Sequence, residues 1–142
     1  EGWLYMTAGA GVERTIIDSR PASTDTTSYY AIAVTAANVI GLYAAAYRIT
    51  GNTSMLNNTW YHVAVSRYSG STKLFLDGTQ QGNTYVDTNN YLSSAQRPVI
   101  GSRGNTIGTF SLTGYMDDIR FTKGYARYTA NFTPPLEKLA GK

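Results

Sequence analysis

Residues Asn57 to Tyr85 read NNTWYHVAVSRYSGSTKLFLDGTQQGNTY. Trp60 to Arg67 is a run of aromatic and β-branched residues with the look of a strand. Tyr68-Ser69-Gly70-Ser71 follows as a tight turn, Lys73 to Asp77 as the returning strand, and Asp77-Gly78 as a second turn. Aromatic and β-branched side chains pack well on a pleated surface and fit a long helix poorly. This hairpin sets the class of the chain as all-β.

The same signals extend outward in both directions. EGWLYM (Glu1 to Met6) and RTIIDSR (Arg14 to Arg20) read as strands, the second closed by Pro21, and PASTDTTS after it as a polar loop. In YYAIAVTAANVIGLYAAAYRIT, Tyr30, Ile32 and Val34 alternate with Ala31, Ala33 and Thr35, giving two or three strands. The alanines of GLYAAAYR favour a helix by propensity, but Tyr, Ile and Thr flank them and Gly41 and Gly51 bracket them, so strand is expected. RPVIGSR (Arg97 to Arg103) is a short strand, and Gly108 to Lys123 a hairpin-like rise. Short strands at turn spacings of about ten residues fit a two-layer sandwich.

The 142 residues suit one domain, 1–142. Twelve tyrosines and fourteen glycines fit pleated sheets joined by turns. The net charge of +3 is scattered rather than clustered, which disfavours nucleic acid as a partner. With no cysteine there is neither a disulfide framework nor a thiolate metal site. No apolar run approaches a membrane span and no signal peptide is evident at the start. Asn-x-Ser/Thr triplets at Asn52, Asn57 and Asn131 matter only in a glycosylating host.

Two blocks in order, NTWYHVAVSR with STKLFLDG and then PVIGSR with FSLTGYMDDIRFTKGYARYTANFTPP, resemble the laminin-G-type jelly-roll modules of the concanavalin A-like lectin/glucanase superfamily. The closest likeness is to variants in bacteriophage structural proteins and bacterial surface proteins. The resemblance rests on Trp60, His62, Asp77, Gly78, Gly114, Asp117, Asp118, Arg120, Arg127, Tyr128 and their neighbours, and EGW looks like the family's Phe-Thr-x-Glu-x-Trp strand entered at its middle. It implies an antiparallel two-sheet sandwich lacking its first strand. The expectation is an open sheet edge there and a module that works within a larger assembly, since an unpaired edge is a template for added strands.

The charged stretch Met116–Pro135 reads as scaffold. Strict alternation would set Tyr115, Asp117, Ile119 and Phe121 on one face and Met116, Asp118, Arg120 and Thr122 on the other. Asp117 and Asp118 would then point apart, too divergent for one cation, and Asp117 would face the core or its rim, bonded by loop amides or Arg120. Ala126 to Thr129 is expected to form one helical turn, with Arg127 and Tyr128 clamping the arm. His62, the one histidine, reads as a hydrogen-bonded core residue lacking triad or zinc partners. Retaining glucanases need paired carboxylates about 5 Å apart; Glu1, Glu13 and Glu137 are isolated in the sequence, so no enzyme is expected.

Binding is the remaining chemistry. Sugars are held by aromatic faces and by polar forks displayed on loops. The candidates are Tyr85, Asn89, Asn90, Tyr91, Arg103 and Asn105, on loops Thr79–Ser94 and Ser102–Thr109. No cofactor is expected; calcium at Asp25 or Asp87 is the one alternative, without a supporting ligand spacing. The expected function is a non-catalytic glycan-binding module on a virion (tail fibre or capsid surface) or an extracellular surface. The alternative is an architectural module contacting other virion or surface-protein subunits.

Overall fold

The computed structural model describes residues 1–9, 11–20, 29–91 and 98–136. Among these there is no helix. Ten strands run in the order β1 (Gly2–Met6), β2 (Arg14–Asp18), β3 (Ala31–Val34), β4 (Val39–Tyr43), β5 (Tyr47–Ser54), β6 (Trp60–Tyr68), β7 (Ser71–Leu76), β8 (Thr79–Val86), β9 (Val99–Ile100) and β10 (Gly114–Asp117). They form two antiparallel five-stranded sheets, ordered β10-β1-β6-β7-β8 and β5-β4-β3-β2-β9, stacked as an all-β sandwich of jelly-roll type.

The core lies between the sheets. Leu4, Met6, Val63, Leu74 and Leu76 from one sheet meet Ile16, Val34, Ile40, Leu42 and Ile49 from the other, and Met55 completes the cluster. The β6–β7 hairpin has the expected register, Val63 opposite Leu76 and Ala64 opposite Phe75. Its turn puts Ser69 at φ 48° and Gly70 at φ 74°, and the next turn, between β7 and β8, puts Asp77 at φ 47° and Gly78 at φ 75°, in each case the left-handed pair that two-residue hairpins prefer. Ala45, at φ 61°, likewise turns the alanine run back on itself between β4 and β5, where helical propensity loses to the sheet.

Four expectations are corrected. Thr79–Val86 is a strand rather than a loop: its polar residues hide the alternation, but Gln81 is buried and its Oε1 accepts the Asn52 and Thr53 amides. Gly82 lets the strand approach β5, since a Cβ there would lie 2.6 Å from the Thr50 carbonyl oxygen. Residues 126–129 form no helical turn. The first strand is not an edge: β1 is paired on both sides, by β10 and β6, and the edges fall on β10, β8, β5 and β9. The expected strand from Arg97 to Arg103 is reduced to Val99–Ile100, with Arg97 outside the described residues.

A bulge changes the alternation that the charged stretch was expected to keep. Asp117 pairs with Trp3, while the Arg120 amide donates to the Glu1 carbonyl oxygen, so Asp118 and Ile119 together oppose Gly2. Asp118 sits at φ 49°. Ile119 is thereby turned inward beside Gly2, and Arg120 joins Tyr115 and Asp117 on the outer face. Before the bulge, Met116 opposite Leu4 packs on the core, so Asp117 is exposed rather than core-facing.

After Arg120 the chain crosses the outer face of the β10-containing sheet. The Phe132 amide donates to the Gly78 carbonyl, Lys73 Nζ to Thr129 O at 2.7 Å, and the Gln80 amide to Asn131 Oδ1 at 2.9 Å. A Cβ at Gly78 would collide with the Phe132 carbonyl. Gly78→Ala should therefore cost about 3 kcal/mol in urea unfolding, strain and collision combined. Gly108→Ala, at φ 92° with open space around it, should show only the strain, about 1 kcal/mol. Equal losses in the two variants would show that the arm does not press on the turn.

Candidate functional site

On the outer face of this sheet, Glu1 is held from several sides. Arg120 Nε and Nη2 donate to Glu1 Oε1 at 2.9 and 2.5 Å, and the Tyr128 hydroxyl donates to Oε2 at 2.6 Å. Arg127 Nε stands 3.7 Å from Oε1. Burial opposes ionisation of this carboxyl, but the bonds from Tyr128 and Arg120 and the nearby positive charges outweigh it and hold the group below its usual range. Burial first, and then the Glu1 carboxylate, raise the Tyr128 hydroxyl to about 12.

His62 lies beneath this group. Its Nε2 is 3.3 Å from Glu1 Oε2, yet neither ring nitrogen makes a well-formed hydrogen bond, and the ring is fully buried. Burial lowers its pKa; the opposing pull of Glu1 is smaller, so the neutral imidazole is the resting form. Trp3, Tyr128 and Phe132 surround the ring edge to face, and Tyr128 stacks on Phe132 at 3.5 Å. Glu1, Arg120, Arg127 and Tyr128 thus fasten the arm over His62, Ala64 and Phe75.

Beyond the arm the same face stays open. Tyr115, Tyr5 and Trp60 come from β10, β1 and β6 and stand in one cross-strand row. Their ring centroids are 5.9 and 5.2 Å apart, with successive tilts of 45° and 49°. Trp60 is 44% and Tyr115 64% exposed. The next row on the face begins with the exposed Asp117 and the half-buried Trp3. A row of exposed aromatic rings with a polar edge is suited to stacking on C–H-rich ligands. Of these residues only Trp60 and Asp117 were singled out in the sequence, both as scaffold. The available signal was Trp3 and Tyr5 two residues apart, on the face opposite Leu4 and Met6.

The sugar-binding candidates divide into two groups. Tyr85, Asn89 and Tyr91 converge on Asp87, which is fully buried. Asn89 Nδ2 donates to Asp87 Oδ1 at 2.9 Å and to the Tyr85 hydroxyl oxygen at 3.1 Å, and the Tyr91 hydroxyl donates to Asp87 Oδ2 at 2.9 Å. Thr72 Oγ1 also donates to Oδ2, and burial together with Asp87 raises the Tyr91 hydroxyl pKa. Asn90 is exposed beside them. This network spends its polar atoms internally. Asp87 faces N–H and O–H donors, the wrong partners for calcium, and Asp25 lies outside the described residues, as do the last three residues of the Thr79–Ser94 segment.

Arg103 belongs to the second group. Its Nη2 donates to Glu13 Oε1 at 2.9 Å while its guanidinium lies 3.6 Å from the Phe110 ring centre. Tyr47 donates to the other Glu13 oxygen at 2.6 Å. Asn105 is exposed and accepts a 3.4 Å bond from Thr106. Asp18 is likewise tied to Arg20, and Asp77 Oδ1 accepts the His62 amide. Among the described residues no three His, Asp or Glu side chains converge as a metal site.

The family model described as the concanavalin A-like lectin/glucanases superfamily, of laminin G type, matches residues 1–126. The chain belongs to this superfamily, which contains both lectins and glucanases. No curated protein and no solved structure matches it.

The Glu1–His62 group sets an acid limit on stability. His62 has a folded pKa below its ordinary 6.5, so its contribution is complete above 6.5 and declines as pH falls below it. Glu1, also lowered, adds a loss below 4.5 as pH falls through the folded pKa. Unfolding free energy should therefore drop in two stages between pH 7 and 3. His62→Phe should flatten the first stage, and Arg120→Ala should cost about 3 kcal/mol at pH 7 by stripping a buried carboxylate of its partner. A pH-independent stability across this window would contradict the assignment.

Proposed function

We propose that this chain is a non-catalytic, lectin-like module that binds glycan through the exposed row Tyr115–Tyr5–Trp60. It would be displayed on a virion, in a tail fibre or on a capsid, or on a cell surface, where it attaches to host polysaccharide. The row is the observation that carries the reading: three aromatic rings on adjacent strands, the outer two exposed and Tyr5 half-buried between them, on the part of the face that the arm leaves uncovered. Rings offered in this way supply the stacking surface a sugar chain requires. The display setting draws on the likeness of the Trp60–Gly78 and Gly114–Pro134 motifs to modules of phage structural and bacterial surface proteins. The non-catalytic reading draws on the acids: Glu1, Glu13, Asp18 and Asp87 are each bound to donors, so none of these four is offered as acid or nucleophile.

One observation favours the architectural reading instead. A cleft of about 570 Å³ lies between the sheets, lined by Leu4, Ile16, Ile32, Val63, Met116 and Ile119 among others. It reaches the side where the edges are the two-residue β9 and the four-residue β10. A partner's strand could pair there.

Titration calorimetry against a panel of soluble polysaccharides separates the two. Glycan binding should appear and should weaken about tenfold in Trp60→Ala, an exposed site where stability should hold, as one stacked ring is worth about 1.4 kcal/mol. Binding that ignores Trp60→Ala and Tyr115→Ala would remove the row from the site. Absence of any saccharide binding, with tight capture of a protein subunit, would transfer the function to the cleft.

A further inference from the structure

Building on the glycan-binding reading, we infer that Asp117 makes this platform selective for single chains of neutral sugars over polyanionic ones, against the direction set by the chain's overall charge. Asp117 occupies the corner of the aromatic patch, opposite Trp3 in register and two residues from Tyr115 on the same face. It is exposed. One oxygen, Oδ1, accepts the Asp118 amide at 2.9 Å, and that bond orients the carboxylate. Among the described residues its second oxygen has no hydrogen-bond partner, and the residue is exposed.

An ionised carboxylate accepts hydrogen bonds and donates none. A neutral sugar presents hydroxyl donors to it, and charge-assisted bonds of this kind are stronger and shorter than neutral ones. A uronate, sulfate or sialyl group instead brings a second negative charge to a site whose own carboxylate is only weakly screened at short range. Pairing with Trp3 keeps Asp117 on the outer face, and the bulge at Asp118 sends Arg120 to Glu1, where the guanidinium is already engaged with a carboxylate. The net charge of +3 would by itself attract polyanions. The Asp117 carboxylate on the platform has the opposite sign.

The tilt of the rings narrows the ligand further. Successive planes turn by 45° and 49° across the strands. A crystalline polysaccharide face is flat and would touch one ring at a time, whereas one free chain can twist to meet all three.

Two soluble polymers of similar length, hydroxyethyl cellulose as the neutral chain and polygalacturonate as the anionic one, provide the test, with microcrystalline cellulose as the flat surface. Wild-type protein should bind the neutral chain at least about fivefold more tightly than the polyuronate, the factor one like-charge contact supplies at a wet surface. Asp117→Asn should keep the fold, weaken the neutral chain about threefold and bring the two polymers within about twofold of each other. Pull-down on microcrystalline cellulose should be weak for both proteins. Polyuronate binding equal to or tighter than neutral binding in the wild type, or an unchanged ratio in Asp117→Asn, would overturn the selectivity while leaving glycan binding intact. Strong pull-down on the crystalline surface would overturn the single-chain preference. No binding to any of the three would overturn both the selectivity and the binding function beneath it.

Discussion

The organisation of this molecule depends on the carboxylate of Glu1. It stands at the head of β1, beneath an arm that returns from the far end of the chain, and it takes hydrogen bonds from Arg120 and Tyr128 at 2.5 to 2.9 Å. A charge so enclosed is tolerated only while these donors stay in place, because a buried ion without partners costs several kcal/mol. The arm is therefore fixed where it lies, over His62, Ala64 and Phe75. What it leaves uncovered is the aromatic row and Asp117. The polar interaction and the exposed surface are two consequences of one placement.

Much of the sandwich was legible in the residues. Short-range signals suffice for the β6–β7 hairpin, where alternation and the Ser69-Gly70 turn agree, and for rejecting a helix at Ala44–Ala46. The faces of the charged stretch were not legible, because period-two reasoning assumes an unbroken ladder and a single left-handed residue, Asp118, shifts it by one. β8 escaped notice for a different reason: its inward-facing Gln81 is held by backbone hydrogen bonds, so hydropathy gives no sign of the strand. Glu1 looked isolated because its partners are 119 and 127 residues away along the chain.

The candidate site shows the same division. Tyr, Asn and Arg in polar segments are reasonable sugar contacts by residue type, and the structure does gather Tyr85, Asn89 and Tyr91. It gathers them around Asp87, however, where donors and acceptors satisfy one another and stiffen the end of β8. Composition cannot distinguish a polar group offered to a ligand from one consumed internally. The rings of Tyr5, Trp60 and Tyr115 come together only through strand pairing between distant segments, and pairing is the part of a β fold that local sequence specifies least.

The chain has two tryptophans, Trp3 and Trp60, and both lie on the proposed platform. Their indole N–H signals in a nitrogen-15 correlation spectrum report on it directly. During titration with a soluble neutral glucan, both signals should move progressively to a common saturation point, with the Trp60 signal moving furthest and the side-chain amide of Asn89 unmoved. Stationary indoles accompanied by shifts at Asn89 would place the ligand at the end of β8 and contradict the account.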